Sequence, residues 1–351
     1  MHRKSRLVCV FFILTTLVFL GGCSLPAGDG VSQEVSDAEY AGSDTQDVPG
    51  VELGEDSASM KIFGSKSDSK TASNDKASGT KRTTVRNCLL PEASGTLTYG
   101  DNAISIDASN TSEGYVMVKY QGSASKVKLQ ITVPDNTVYT YTLAIGSYET
   151  FPLSEGSGTY KLDVLENAYD DMYALALSQS ISVTLSDEFK PFLYPNQYAW
   201  FTQDDVAVAF GIEMSDASSS DLDYLEKIYL YVIENITYDE ELAATVSSGY
   251  LPDVDTTLRT KKGICFDYAS LMVALLRSQG IPTKLQIGYS GDAYHAWISV
   301  YLKEIGWVDK IIEFDGKSWT LMDPTLAASN SRSSVQKYIG DGSKYTVKYV
   351  Y

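Results

Sequence analysis

KGICFDYASLMVALLRSQGIPTKLQIGY occupies residues 262–289 and decides the fold of the region around it. Gly263 permits a tight turn before Cys265, and residues 267–278 carry apolar side chains at helical spacing. Gly280 follows in the position of a left-handed C-terminal cap. The stretch therefore predicts a loop that becomes a helix, with Cys265 at the point where the helix begins.

A thiol in this position is suited to nucleophilic chemistry. Cys265 would face the unpaired backbone N–H groups and the positive dipole end of the helix, and both favour the thiolate. The same amides can hold the oxyanion that forms when a thiolate attacks an amide carbonyl. Asp267 opposes this effect, because it places a negative charge in the first turn. We therefore expect activation to depend on a partner base.

Two further stretches supply the other side chains of a thiol triad. YHAWISVYL, residues 294–302, alternates apolar and polar positions as a strand does, and it contains His295, the only histidine beyond residue 2. A neutral imidazole can take the thiol proton and later protonate the leaving group. WTLMDPT, residues 319–325, predicts a strand ended by proline, and its Asp323 can hold the imidazole in one tautomer.

Together these motifs resemble the transglutaminase-like superfamily, whose members have a papain-like thiol fold. The family pattern is a Gly-x-Cys at a helix start, a His-Ala-Trp strand and an Asp-Pro-Thr strand end, and residues 222–325 contain all three. The resemblance implies an α+β domain in which Cys265 is the nucleophile and His295 shuttles the proton. It implies that Asp323 orients His295.

One interval departs from the family pattern. Family members often join the His and Asp strands by one short hairpin, whereas KEIGWVDKIIEFDGKS, residues 303–318, predicts an additional hairpin. Its turn is expected at Asp315-Gly316, a dipeptide that favours two-residue hairpin turns. Such a hairpin would shape the substrate cleft, so the departure bears on the substrate class and leaves the triad positions unchanged.

Each triad residue also has an ordinary structural interpretation. A lone Cys in an apolar run is usually a small buried side chain, a lone His on a strand is usually structural, and Asp-Pro-Thr is a common turn. Their joint occurrence in this order favours catalysis. The alternative from another class is a non-catalytic surface adhesin or scaffold with a vestigial triad cleft. A disulfide between Cys88 and Cys265 is the structural rival to a reactive thiol.

The N-terminus has the features of an export signal. Basic residues precede an apolar run over residues 7–20, and the small residues before Cys23 resemble a bacterial lipobox. We expect residues 1–22 to be a lipoprotein signal peptide and Cys23 to carry lipid on the extracytoplasmic face of the cell membrane. An uncleaved anchor or an ordinary signal peptide is the alternative. Residues 23–93 are rich in Ser, Gly, Asp and Thr, which predicts a disordered tether.

Short alternating segments follow over residues 94–188. Runs such as GYVMVKY, KVKLQITV and GTYKLDVLE are separated by turn residues, which predicts an immunoglobulin-like β-sandwich. The acidic pair Asp170 and Asp171 is typical of a solvated turn rather than of a calcium site. We interpret this domain as a spacer or a binding module. Residues 189–351 then form the transglutaminase-like domain.

Charge and missing motifs exclude several functions. The formal net charge of −17 argues against nucleic acid as a partner. The chain has no Walker motif, no dinucleotide fingerprint and no zinc-type Cys/His spacing, so we expect no cofactor and no metal. The sequence predicts a membrane-anchored thiol acyltransferase or peptidase. Its expected substrate is an amide of a protein, a peptide or a cell-wall peptide, and the acyl group passes to water or to an amine.

Overall fold

A computed structural model gives the fold of the 351-residue chain. It describes residues 88–290, 293–303, 305–309, 312–314, 319–321 and 345–351. Cys23, the tether up to residue 87 and Asp323 lie outside the described residues, and what the sequence indicates for them stays a prediction. None of the helices in the described ranges has the length and apolar character needed to cross a bilayer.

The β domain is built from eight strands with inward-facing apolar side chains. They are β1 (Thr98–Gly100), β2 (Ile104–Asp107), β3 (Tyr115–Tyr120), β4 (Val127–Thr132), β5 (Val138–Thr142), β6 (Tyr148–Pro152), β7 (Gly158–Tyr169) and β8 (Met172–Val183). In β4 every second side chain is buried, beginning with Val127, because successive side chains of a strand point to opposite faces.

These strands form two four-stranded antiparallel sheets. Their orders are β1-β2-β3-β6 and β5-β4-β7-β8. Both sheets contribute to one buried core, in which Val118 of β3, Leu129 of β4 and Leu162 of β7 have no exposed surface. The predicted all-β region is therefore present as two sheets over residues 98–183.

The segment before β1 is in contact with the β domain. Leu89 and Ala93 pack against a small cluster that includes Tyr115 and Tyr194. The backbone N–H of Glu92 donates to the Tyr115 hydroxyl at 3.1 Å. These contacts begin before Ser94, where the sequence predicts the β domain to start.

Residues 189–351, called the thiol domain below because they include Cys265, contain five α-helices in the described residues. They are α1 (Val206–Asp216), α2 (Asp221–Asn235), α3 (Glu240–Thr245), α4 (Val254–Thr260) and α5 (Cys265–Arg277). The Ser220 side chain accepts the N–H of Asp223 and caps α2. The buried face of α2 includes Leu225, Tyr229 and Val232, which recur at helical spacing.

The same domain contains eight strands in the described residues. They are β9 (Thr237–Tyr238), β10 (Lys262–Gly263), β11 (Thr283–Ser290), β12 (Ala293–Leu302), β13 (Gly306–Asp309), β14 (Ile312–Phe314), β15 (Trp319–Leu321) and β16 (Tyr345–Val350). Four of them form an antiparallel sheet in the order β13-β12-β11-β16. β14 and β15 pair as the predicted additional hairpin, whose turn lies outside the described residues.

The central helix of this domain is α5. Its side chains from Cys265 to Arg277 are buried apart from the half-buried Phe266. The helix packs against α1, α2 and α4 as well as against β11 and β12. It begins at Cys265, as predicted, and Gly280 has the predicted left-handed conformation with φ 77°.

Aromatic side chains join the two domains. The Tyr139 hydroxyl of β5 accepts the backbone N–H of Val350 at 3.1 Å, and the Ser154 hydroxyl donates to the Val350 carbonyl at 2.5 Å. The Tyr139 ring also lies edge-on to the ring of Tyr351, with centroids 5.5 Å apart. The β domain is therefore packed against the thiol domain, which a simple spacer would not be.

A buried arginine on α5 holds together the C-terminal strand and the linker, which is the segment between β8 and α1. Arg277 has no exposed surface, and its guanidinium donates to the main-chain oxygens of Tyr194, Thr283 and Tyr351 at 2.6–2.9 Å. Burial lowers its pKa to about 9, which leaves it charged at neutral pH. One side chain thus satisfies carbonyls from three separate segments.

Replacing this arginine should destabilise the fold. Arg277→Met keeps an aliphatic stem but leaves buried carbonyls without these donors, and we expect a loss of about 2 kcal/mol or more in the free energy of unfolding. Arg259→Met is the matched control, because Arg259 is exposed and donates to the Thr256 hydroxyl within its own helix. Denaturant titration of both variants gives the comparison. Equal losses in the two variants would contradict the role assigned to Arg277.

Candidate active site

Cys265 is the first residue of α5, and the chain before it is fixed by a short parallel strand pair. Lys261 ends α4 in a left-handed conformation with φ 56°. β10 then pairs with β9, and the Asp239 N–H donates to the Gly263 carbonyl at 2.9 Å. These bonds set the direction in which the chain enters α5. Cys265 itself is buried, with 5% of its surface exposed.

The first turn of α5 is held by the carboxylate of Asp267. Its Oδ2 accepts the Ile264 N–H at 2.8 Å, and its Oδ1 accepts the Tyr250 hydroxyl at 2.7 Å. Burial raises the pKa of this carboxyl group, while the two hydrogen bonds lower it. Gly263 is required here, because a Cβ at that position would lie 2.6 Å from the Asp267 Cβ. The predicted tight approach at Gly263 is therefore confirmed.

Tyr250 is the one member of this arrangement that the sequence does not reveal. It lies between α3 and α4, in a segment without periodic pattern, and its bond to Asp267 joins residues far apart in the chain. The position of Asp267 was a usable signal, because an acidic residue three places after the N-cap commonly reaches back to the N-cap amide. Asp267 therefore stabilises the helix start in addition to placing a negative charge near the thiol.

His295 lies on β12, the strand that packs against α5. It is 8% exposed and sits opposite Gly288 of β11 in the sheet. Burial lowers the pKa of its imidazole to about 4. At neutral pH the side chain is therefore a neutral base, which is the form needed to accept a proton from a thiol.

The thiol and the strand that carries His295 are close in space. Tyr294, the residue before His295, has its pKa raised mainly by burial, and Cys265 is among the neighbours whose charge raises it further. The helix α5, which begins at Cys265, also packs directly against β12, which contains His295. The fold thus brings together the helix start and the strand that the sequence singles out.

Asp323 lies outside the described residues, and the nearest described strand is β15. That strand ends at Leu321 and pairs with β14, which in turn contacts β12. The chain therefore comes within two residues of Asp323 while running in a hairpin beside the His295 strand. The role of Asp323 in orienting His295 stays a prediction.

The two cysteines of the described ranges carry thiols rather than a disulfide. Cys265 is buried and Cys88 is partly buried. Burial raises the pKa of the Cys88 thiol, and the charge of Asp205 raises it further. The disulfide alternative from the sequence is therefore wrong. Within the described ranges, no group of three or more His, Cys, Asp or Glu side chains is arranged to hold a metal ion.

Comparisons with known proteins agree with these features. A family model described as "Transglutaminase-like superfamily" matches residues 208–310. Uncharacterized protein YebA of Bacillus subtilis (strain 168) is 34% identical over 106 residues, which cover 24% of this chain and 13% of YebA. The chain thus aligns with only a small part of that longer relative.

Two solved structures resemble the chain more distantly. A proposed cysteine protease from Cytophaga hutchinsonii is 14% identical, with 60% of this chain and 78% of that chain covered and a TM-score of 0.30. The periplasmic domain of TgpA from Pseudomonas aeruginosa, bound to ethylmercury, is 16% identical, with 63% and 92% covered and a TM-score of 0.29. Scores this low do not establish a common overall fold.

The family match and the site coincide in the chain. Residues 208–310 run from α1 to the end of β13, and they include Cys265 and His295 but end before Asp323. The β domain lies wholly outside the match. The chain therefore contains a transglutaminase-like superfamily domain at residues 208–310, preceded by a β-sheet domain.

Proposed function

We propose that the thiol domain catalyses acyl transfer at an amide of a protein, a peptide or a cell-wall peptide. One observation carries the proposal: a cysteine begins a buried helix, and a neutral histidine lies on the strand packed against that helix. The family match to the same residues supports it. Cys265 is the proposed nucleophile, His295 the proposed base and Asp323 the proposed orienting residue.

In the first step the His295 imidazole takes the Cys265 thiol proton. The thiolate sulfur bonds to the amide carbonyl carbon, and the C=O π electrons move onto oxygen. Amides of the first turn of α5 are suited to hold this oxyanion, because the N-cap residue Ile264 has no side-chain acceptor to compete for them. The helix start thus serves both the thiolate and the tetrahedral intermediate.

In the second step the intermediate collapses. The C–N bond breaks, imidazolium of His295 gives its proton to the leaving amine, and a thioester on Cys265 remains. Water or a second amine then attacks the thioester, with neutral His295 taking the proton of the attacking group. The thiol leaves as thiolate and regains the proton. Water gives net hydrolysis and an amine gives net transamidation.

A carboxylate beside His295 is needed for this cycle. Burial alone depresses the imidazole pKa to about 4, so imidazolium is disfavoured at neutral pH. A negative charge at Asp323 would stabilise the cation and fix the tautomer that faces the thiol. This requirement supports the role proposed for Asp323.

A non-catalytic scaffold is the second candidate, and burial of the site favours it. Cys265 is 5% exposed and His295 is 8% exposed, so a substrate has little direct access to either. In a scaffold the same residues would be core side chains, and the thiol would react only after unfolding. The alkylation experiment below separates the two candidates.

We also propose that the β domain is an immunoglobulin-like sandwich and that Cys23 is lipidated. The strand orders β1-β2-β3-β6 and β5-β4-β7-β8 place non-consecutive strands side by side, as Greek-key sandwiches do. The basic, apolar and small-residue segments before Cys23 occur in the order of a lipoprotein signal. The enzyme would then act on the outer side of the cytoplasmic membrane.

Alkylation of Cys265 tests the pairing with His295 without knowledge of the substrate. We expect rapid iodoacetamide labelling near neutral pH in the Cys88→Ala background, which leaves Cys265 as the only thiol beyond residue 23. His295→Ala should move the midpoint of the labelling pH profile toward about 8.5, the value of an unperturbed thiol. Identical profiles with and without His295, or labelling that requires denaturant, would refute the catalytic pair.

Activity should depend on the same residues. Cys265→Ala should abolish turnover in a screen of casein, of a glutamine-donor peptide with an amine, and of purified cell wall, because no other group replaces the nucleophile. Asp323→Asn should lower turnover by about 10² to 10⁴, as the loss of a triad carboxylate does elsewhere. Thermal unfolding of each variant controls for stability. Unchanged turnover in Cys265→Ala would exclude the proposed nucleophile.

The imidazole pKa gives a direct test of Asp323. Burial lowers this pKa, and a negative charge at Asp323 should raise it, so Asp323→Asn is expected to lower the pKa. In that variant the unfolded chain, with a histidine pKa of about 6.5, binds more protons than the folded chain between pH 4 and 6.5. The free energy of unfolding should therefore fall as the pH is lowered through this window.

NMR of the processed chain makes this measurement unambiguous, because His295 is then the only histidine. The imidazole resonances of the unmodified chain and of Asp323→Asn are followed from pH 3.5 to 8, with a tag that contains no histidine. Equal pKa values in the two proteins would show that Asp323 does not face His295.

Lipidation of Cys23 is tested by fractionation. Cys23→Ala should leave the protein unprocessed or release it from the membrane fraction, because the lipidated residue is lost. Mass spectrometry of the N-terminus reports the diacyl group and the cleavage site. Normal membrane fractionation with normal mass in Cys23→Ala would contradict the proposal.

A further inference from the structure

A cavity of about 230 Å³ lies between the β domain and the thiol domain. One wall consists of β-domain residues that include Thr142 and Glu149. The opposite wall is the segment from Ser248 to Leu251, which lies between α3 and α4. Tyr198, from the linker between the domains, also lines it. The cavity has no role in the chemistry described above.

The linker residue Tyr198 and the wall segment from Ser248 to Leu251 both contact the first turn of α5. The Tyr198 ring lies edge-on to the ring of Phe266, the residue after Cys265, with centroids 5.5 Å apart. Tyr250, within the wall segment, donates its hydroxyl to Asp267 at 2.7 Å. A group bound in the cavity would therefore lie one side-chain layer away from the start of the helix that carries the thiol.

The β-domain wall presents a fixed carboxylate. Glu149 Oε2 accepts the Ala144 N–H at 2.6 Å, and its Oε1 accepts the Gln197 side-chain amide at 2.9 Å. The same amide nitrogen donates to the Thr142 carbonyl at 2.7 Å, which fixes its position. A carboxylate has about four lone-pair sites, so these two bonds leave it able to accept more donors.

The side chains that line the cavity favour a positively charged ligand. None of the residues that line the cavity is Lys or Arg, so no lining side chain neutralises Glu149. Thr142 and Ser248 contribute polar groups, whereas Leu251 and the Tyr198 ring contribute apolar surface. An alkyl chain that ends in an ammonium matches this set, because the chain contacts apolar surface while the ammonium donates to oxygen atoms. The net charge of −17 also attracts cations to the protein.

We propose that this interdomain cavity is a subsite for an alkylammonium group, with Glu149 as the residue that recognises it. The assignment rests on the proposed acyl-transfer function, since it places a substrate group one side-chain layer away from the start of the thiol helix. Two sources have this chemistry: a lysine side chain of the peptide that donates the acyl group, or the distal ammonium of a diamine whose other, neutral amine receives the acyl group. In either case the β domain supplies specificity to the thiol domain.

Direct binding tests the subsite without turnover. The full processed chain with Cys265→Ala is titrated by calorimetry with cadaverine and with an acetyl-Gly-Lys-Gly amide, and the norleucine peptide serves as the uncharged match. We expect the two cationic probes to bind and the norleucine peptide to bind about tenfold or more weakly than its lysine counterpart. Failure of both cationic probes to bind would overturn the proposal.

Three variants locate the binding. Glu149→Gln should weaken both cationic probes about tenfold or more, because it removes the charge and keeps the shape. Glu234→Gln makes the same charge change at an exposed position on α2 and should leave binding unchanged. Leu251→Trp should also block binding, because it fills the cavity without altering its charge. Undiminished binding in a folded Glu149→Gln or Leu251→Trp chain would overturn the assignment.

The active chain separates the two sources of the ammonium. If the subsite takes the donor peptide, Glu149→Gln raises KM for lysine-containing donors and leaves the norleucine donor unchanged. If it takes the acceptor, Glu149→Gln raises KM for cadaverine alone. Either result supports the subsite. If the probes bind but the chain shows no activity, the proposed acyl transfer is wrong and the subsite stands. If the chain is active but the probes do not bind, only the subsite is wrong.

Discussion

The carboxylate of Asp267 is the constraint on which the candidate site depends. It accepts the Ile264 N–H from one side and the Tyr250 hydroxyl from the other, and it is 2% exposed. Together these bonds fix the turn that places Cys265 at the first position of α5 and tie the segment between α3 and α4 to that turn. The N-cap side chain cannot replace these bonds, because the side chain of Ile264 has no hydrogen-bond acceptor.

The β domain belongs to the same structural unit as the site. Tyr139 and Tyr141 of β5 lie against Tyr351, and Tyr198 continues this aromatic cluster to Phe266 beside the thiol. These ring contacts hold the β domain and the thiol domain in a fixed relative position, because the rings pack against one another and the Tyr139 hydroxyl accepts the Val350 N–H. The sequence predicts a spacer or a binding module, and the packing is that of a domain joined to the start of the thiol helix through the ring of Tyr198.

Features that depend on neighbouring residues could be predicted from the sequence, whereas contacts between distant segments could not. The α5 helix, the left-handed Gly280, the cap at Ser220 and the hairpin of β14 and β15 were all predictable, because each depends on a few neighbouring residues. The bond from Tyr250 to Asp267 and the cavity at Glu149 depend on packing between segments. Single-sequence periodicity contains no information on which loop meets which strand.

The electrostatics of the site require a third charged group. A thiolate at Cys265 would share the first turn of α5 with the buried Asp267, and two negative charges in one turn oppose each other. Imidazolium at His295 would compensate, but burial lowers its pKa from about 6.5 to about 4, which costs about 3 kcal/mol. The helix dipole contributes about 1 kcal/mol or less at most helix ends, so it does not close this gap. In the proposed mechanism, a carboxylate facing His295 would supply the missing stabilisation of the imidazolium.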